Sequence, residues 1–238
     1  MAMTDKALIF VHGSGDSTAV WGPLIALLPE VQAVALDLPG HGALVSQPGP
    51  ATMSVADYAA VVRAEIARRG LEQPTVVGHS LGGAIALQLA LESPQLVGRL
   101  ALVGSGARLR VAPAFLEAAR EAGTSGAPNI TQTAFAAEHA AAAAAFHAQR
   151  LPTAPGALYR DLMACNQFDL MGEMARIIQP TLLIVGAGDR MTPPKFAEYL
   201  AERLPTAALA IIPDAGHYVQ IEQPQRVADA LRAWLASE

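Results

Sequence analysis

Cysteine is almost missing from this chain: Cys165 is the only one in 238 residues. An intramolecular disulfide is therefore excluded and no thiolate zinc set can form, which points to a reducing compartment. Charge is sparse as well, with Asp, Glu, Lys and Arg at 16% and a net charge of -5. The 16 basic residues are scattered, so no surface for nucleic acid emerges. No apolar run approaches the roughly 20 residues that a membrane span requires. The opening Met1-Ala2-Met3-Thr4-Asp5-Lys6 lacks the apolar core and cleavage site of a signal peptide. These absences predict a soluble cytoplasmic protein, monomer or homodimer, with no membrane or nucleic-acid partner.

Apolar residues are plentiful, at 52%, enough to cover both faces of a sheet. Residues 7–11 read as a buried strand that runs into His12-Gly13-Ser14-Gly15-Asp16-Ser17. A short helix is expected over 21–28 and a second strand over 31–36, closed by Asp37-Leu38-Pro39-Gly40-His41-Gly42. Ser54 can cap a helix to about Arg69, with Val55, Tyr58, Ala59, Val62 and Ile66 on one face and Gly70 at its end. Strands at 75–77 and 100–103 follow, separated by an apolar helix. That alternation predicts an α/β fold, a parallel sheet with helices on both faces and ligands beyond the carboxyl ends of the strands. Across 108–172 the strand rhythm stops, and helices are expected over 113–122, 131–149 and 155–166. The expected organisation is a core of 1–107 and 173–238, with 108–172 as an inserted helical lid over the sheet. The alanine run 140–145 has little side chain with which to pack, so its helix is expected to lie shallowly and to be able to move. The rhythm resumes with strands at 181–185 and 207–212 and helices over 193–204 and 224–235.

The chemistry centres on Val76-Val77-Gly78-His79-Ser80-Leu81-Gly82-Gly83, a β-branched run, a Gly-x-Ser-x-Gly turn and a helical pattern. A serine on such a turn has a strained backbone and a raised hydroxyl, and Gly78 and Gly82 let strand and helix pass closely. The helix N-terminus behind it directs N–H groups at whatever the serine attacks. A serine hydroxyl needs a base, and the base needs a carboxylate to fix its tautomer. His217, in a Gly-His loop after a strand, and Asp189, in the matching place after the preceding strand, supply them. Asp214 lies too near His217 along the chain, and Asp169 ends the insertion. His12 and His41 are expected to organise their loops. His79 fills the variable elbow position, and His139 and His147 lack the carboxylate or cysteine of a metal site. Ser105, in Gly104-Ser105-Gly106, imitates an elbow without a helix behind it and is expected to line the pocket.

Five motifs now stand in order: His12-Gly13; Asp37-x-Pro39-Gly40-His41-Gly42; Gly78-His79-Ser80-Leu81-Gly82-Gly83; Gly186-x-x-Asp189-x-x-x-Pro193; and Gly216-His217 with Glu222-x-Pro224. Together they resemble the α/β-hydrolase fold superfamily, in particular serine carboxylesterase-like members with a helical lid. The resemblance implies a mostly parallel sheet of about six strands; many members begin with an antiparallel strand pair, which is expected to be missing here because only eleven residues precede His12. It implies a triad of Ser80, Asp189 and His217, and an oxyanion hole of the backbone N–H groups of Ser14 and Leu81. It implies no cofactor, no metal, and hydrolysis of a small or medium carboxylic ester through an acyl-enzyme on Ser80. A serine at the elbow argues against epoxide hydrolases and haloalkane dehalogenases, which carry aspartate there. His12-Gly13-Ser14-Gly15 also resembles the opening of carbon–carbon hydrolases of aromatic ring cleavage. A carbon–carbon hydrolase or enol-lactonase with the same triad is therefore the alternative, the basic Arg108 and Arg110 then holding a substrate carboxylate. A non-catalytic ligand-binding relative is the third possibility. Substrate contacts are expected from His79, Ser105, Phe146, Met163 and Phe168, with Phe115 and Met171 on the same apolar wall.

Overall fold

A computed structural model describes residues 7–122 and 134–237. Among them, six strands form one sheet: β1 (Leu8–Val11), β2 (Ala33–Leu36), β3 (Thr75–His79), β4 (Arg99–Val103), β5 (Thr181–Gly186) and β6 (Ala207–Ile212). Their order is β2-β1-β3-β4-β5-β6, and every neighbouring pair is parallel. Among the described residues no antiparallel strand flanks this sheet.

Side chains alternate across the sheet, and each face has its own core. Ile9, Val11, Val76, Leu100, Leu102, Leu183 and Val185 pack on one side. Leu8, Phe10, Val77, Ala101, Val103, Leu182 and Ile184 pack on the other. Because both faces are covered, the inner strands read as continuous apolar runs. The first face carries α2 (Val55–Arg68), α3 (Leu81–Glu92) and α7 (Pro194–Arg203). The second carries α1 (Gly22–Ile25), α8 (Val219–Glu222) and α9 (Pro224–Ala236). Ser54 starts α2 with a reciprocal capping box: its Oγ accepts from Asp57 N–H at 3.2 Å and Asp57 Oδ2 accepts from Ser54 N–H at 2.8 Å.

Two helices are shorter than the sequence pattern suggests. The helix expected over 21–28 is a 3-10 turn at Thr18–Trp21, capped by Ser17, followed by the single turn of α1. The helix expected over 131–149 is a 3-10 turn at Ala137–His139 and then α5 (Ala140–Ala148), of which only Phe146 is buried. Residues 131–133 lie outside the described residues. Among the described residues, α4 (Pro113–Glu121), α5 and α6 (Ala157–Gln167) lie between β4 and β5 along the chain. The strand-like pairings described for that stretch are two single bridges, His41 with Thr153 and Arg108 with Asp169.

The strand order fixes where a site can lie. From β1 the chain steps to β2 on one side, then returns to β3 on the other and continues through β4, β5 and β6. The loops leaving β1 and β3 therefore diverge and open a crevice above their carboxyl ends. Those ends carry His12-Gly13-Ser14 and His79-Ser80.

Candidate active site

Ser80 stands between β3 and α3 with φ 52° and ψ -112°, a conformation that strains any side-chain-bearing residue. Its peptide groups are held on both sides. Its N–H donates to Val103 O at 2.9 Å, and its carbonyl accepts from Ser105 Oγ at 2.8 Å and from the N–H groups of Gly83 and Ala84. The tight turn also requires a bare backbone at Gly82, where a Cβ would fall 2.1 Å from Val11 O. Strand β1 and helix α3 touch there through main chain alone.

His217 lies buried in the loop between β6 and α8. Its Nδ1–H donates to Asp189 Oδ2 at 2.9 Å, which leaves Nε2 as the ring's free proton acceptor. Asp189 is also gripped by the N–H groups of Met191 at 2.8 Å and Thr192 at 2.9 Å, and by Thr192 Oγ1 at 2.7 Å. Burial alone would raise its pKa. The charge and hydrogen bond of His217 and the Thr192 donors overcome that and hold it below the usual carboxylate value. The Thr192 hydroxyl also lies 3.1 Å from His217 Nδ1.

The His217 loop is anchored from three sides. His217 N–H donates to Ala134 O at 2.7 Å, and its carbonyl accepts from His79 Nε2–H at 3.0 Å. Gly216 N–H and Ala136 N–H both donate to Glu222 Oε2, at 2.9 and 2.8 Å. Burial, then the neighbouring His217, pushes His79 down to about 3, so it is a neutral strut. His12 is neutral for the same first reason, burial, with the His41 charge second, and its pKa falls to about 4. Its Nδ1–H donates to Gly13 O at 2.8 Å and its Nε2 accepts from Leu38 N–H at 3.0 Å, joining the loops after β1 and β2.

Ser80 and His217 open on one cavity of about 430 Å³. No hydrogen bond joins Ser80 Oγ to His217 Nε2, a separation that free active sites commonly show before substrate aligns them. Ser14 and Asp16 form one wall with Tyr218, while Leu109, Val111, Phe115, Leu158, Leu162 and Phe196 make the rest largely apolar. Arg110, Arg150 and Arg190 also reach it. Tyr218 OH donates to Asp16 Oδ2 at 3.1 Å, and burial lifts the Asp16 pKa to about 6. Among the described residues, the N–H groups of Ser14 and Leu81 make no hydrogen bond.

The residues expected to touch substrate are dispersed. His79 and Phe115 line the cavity. Ser105 is turned beneath the elbow, where it braces Ser80 O. Phe146 packs at a tilt against Phe135 and Tyr218 in a buried aromatic group. Phe168 joins the core under α3, and Met163 is half-buried on α6; neither lines the cavity. Arg108 and Arg110 both approach Asp169, at 3.5 and 3.6 Å. His139 donates through Nε2–H to Asp214 O at 2.7 Å, and Asp214 itself is exposed. Among the described residues no cluster of His, Cys, Asp and Glu could hold a metal ion. None of their helices is long and apolar enough to cross a membrane.

Thr192, Asp16, Tyr218 and Asp161 escape a reading of the sequence. For Thr192 a local clue exists, since an Asp with a hydroxyl residue three positions on can close a side-chain turn. Asp16 and Tyr218 stand beside Ser14 and His217 along the chain, but only packing joins their side chains, and only packing brings Asp161 to the Gly15 N–H.

Comparison with known proteins agrees with this architecture. The chain is 31% identical to a pimeloyl-[acyl-carrier protein] methyl ester esterase of Aromatoleum aromaticum, over 95% of this chain and 96% of that one. A solved lipase-esterase related protein from Clostridium acetobutylicum superposes with a TM-score of 0.83 at 25% identity, covering 96% of this chain and 94% of its own. The enol-lactonase from Burkholderia xenovorans shares the fold, with a TM-score of 0.88 at 21% identity over 98% of this chain and 92% of that one. Residues 8–230 match the alpha/beta hydrolase family. With that match added to the parallel sheet and the serine elbow, the chain belongs to the alpha/beta hydrolase family.

Proposed function

We propose that this protein is a serine carboxylesterase acting on small or medium esters, with Ser80 as nucleophile, His217 as base and Asp189 as the group that orients the base. The observation that carries the reading is the His217–Asp189 hydrogen bond of 2.9 Å beside a strained elbow serine, on a shared cavity. Ser80 Oγ attacks the ester carbonyl while His217 Nε2 takes its proton. The oxyanion that forms is met by the unpaired N–H groups of Ser14 and Leu81. His217 then protonates the leaving alcohol, and water repeats the sequence on the acyl-enzyme to release the acid. Asp189, held below the usual carboxylate range, stays ionised and stabilises the imidazolium. The described residues of 108–172 serve as the cover that gives the cavity its apolar wall, since Leu109, Val111, Phe115, Leu158 and Leu162 all come from that stretch.

The test is turnover of p-nitrophenyl esters from acetate to palmitate, with Ser80→Ala alongside. Turnover should peak at short or medium acyl chains, as suits a cavity of about 430 Å³. It should fall in the variant by on the order of 10⁶. A residual rate within tenfold of the parent would overturn the assignment. The three arginines at the cavity favour a second reading, a carbon–carbon hydrolase or enol-lactonase whose substrate carries a carboxylate. Silence on every ester with turnover of a ring-cleavage product or an enol-lactone would establish it.

A further inference from the structure

Gly15, next to the oxyanion residue Ser14, is held by the chain between β4 and β5 on both of its peptide groups. Its N–H donates to Asp161 Oδ2 at 2.9 Å, and its carbonyl accepts from Thr153 Oγ1 at 3.2 Å and from Arg150 Nη2. Its φ is +67°, and a Cβ there would fall 2.8 Å from Leu158 Cδ1, so only glycine gives both the turn and the contact. Asp161, on α6, is fully buried. Its Oδ1 accepts from Tyr58 OH on α2 at 2.5 Å, and its Oδ2 lies 2.9 Å from His41 Nε2 in the loop after β2. The neighbouring Arg160 donates from Nε to Tyr58 OH at 2.8 Å and from its other nitrogens to the carbonyls of Pro39, Pro48 and Pro50. One carboxylate thus joins α6, α2, the loop after β2 and the loop after β1.

We propose that Asp161 is a positioning residue for the oxyanion hole: by holding the Gly15 N–H, it aims the Ser14 N–H into the cavity. The inference rests on the reading of Ser80 as the nucleophile. Fixing both peptide groups of Gly15 fixes two successive peptide planes that begin one Cα from the Ser14 N–H. A hydrogen bond weakens steeply as its angle departs from linearity, so a tilt of that plane lowers stabilisation of the oxyanion while substrate binding is retained. On this reading the helical cover completes the reaction centre as well as closing the cavity.

The experiment compares the parent, Asp161→Asn, Thr153→Val and Ser80→Ala on a p-nitrophenyl ester, with butylboronic acid as the tetrahedral mimic. Ser80 Oγ adds to boron, its proton passes to His217, and the resulting boronate anion places an oxygen in the hole. Asp161→Asn should lower kcat by about ten- to a hundredfold, less than outright removal of an oxyanion donor. KM should move less than about threefold, and the boronate inhibition constant should rise by the same factor as kcat falls. A folded Asp161→Asn with kcat within twofold of the parent, or with its whole loss in KM, overturns the proposal. Where Asp161→Asn does not fold, Thr153→Val decides: a fall of about threefold or more in kcat at constant KM supports it, and an unchanged kcat overturns it. Ser80→Ala separates the two layers. If it turns over normally, the active-site reading fails; if it is inert while Asp161→Asn and Thr153→Val match the parent, only the positioning role fails.

Discussion

The hydroxyl of Thr192 sits between Asp189 and His217, 2.7 Å from Asp189 Oδ2 and 3.1 Å from His217 Nδ1. It donates to the carboxylate and so fills a lone pair that would otherwise face an apolar surround. Asp189 keeps two backbone donors without it, so the pair should survive its removal in a looser orientation. Thr192→Val should therefore cost about 1 kcal/mol of stability and lower kcat/KM by roughly tenfold. Denaturant unfolding and steady-state kinetics read the two effects separately, and an unchanged kcat/KM would show that the hydroxyl does not orient the pair. Asp16 offers a second test at this scale. Burial raises its pKa to about 6 from an ordinary value of 3.8, so between those pH values the folded chain keeps a proton that the unfolded chain has lost. Stability must then fall as pH rises through that window. Asp16→Asn keeps an acceptor for Tyr218 OH and carries no charge. Its thermal midpoint should equal the parent's near pH 4 and exceed it increasingly up to about pH 6, then hold that margin. A constant difference across the range would contradict the buried-carboxyl account.

At the scale of elements, the elbow and the helix caps make opposite kinds of demand. In α3 the backbone of Gly82 lies against β1, and the 2.1 Å from a built Cβ to Val11 O leaves no side chain that could yield. Gly82→Ala must push helix and strand apart, which opens the core on the face that α3 covers, and should destabilise by more than about 4 kcal/mol or prevent folding. Soluble yield and thermal midpoint would show it. The α2 cap is a local device on the exposed side of the same face. Ser54→Ala loses the acceptor for Asp57 N–H and should cost about 1 kcal/mol with kcat and KM unchanged. A change in turnover there would mean that α2 transmits to the site through Tyr58. Both devices are visible in the residues themselves, because a cap and a close approach depend on chemistry within a few positions. The shortened helices at 18–25 and 137–148 were not visible, because Gly22, Pro23 and an alanine run carry no stop signal that tertiary contacts do not rewrite.

Across the whole molecule, the buried His41–Asp161 pair sets a pH response of its own. Burial lowers the His41 pKa, but the Asp161 charge and hydrogen bond more than offset it, so the net shift is upward. Burial raises Asp161, and His41, Tyr58 and Gly15 together bring it net downward. The groups that face the pair are His12, Tyr58 and Arg160. A raised histidine contributes its full stability below about pH 6.5 and loses it as pH rises through the folded value. A lowered aspartate contributes above about pH 3.8 and loses its share as pH falls through the folded value. The thermal midpoint of the parent should thus decline on the alkaline side, and His41→Gln should flatten that decline. An equally steep alkaline fall in the variant would place its origin elsewhere.

The sequence by itself determined the parallel α/β sheet, the serine elbow, and Asp189 and His217 on successive strand ends. Apolar runs, glycine spacing and loop position are local properties that a chain displays in order. Ser105 shows where that legibility stops, since the same Gly-Ser-Gly stretch could line a cavity or brace the elbow, and only packing places its Oγ on Ser80 O. The strand order β2-β1-β3, which opens the crevice, was decided by tertiary structure. So was the meeting of Asp161 with Gly15, 146 positions apart in the chain. Such contacts join groups that share no local pattern, and their energy exists only once the surrounding core has excluded water.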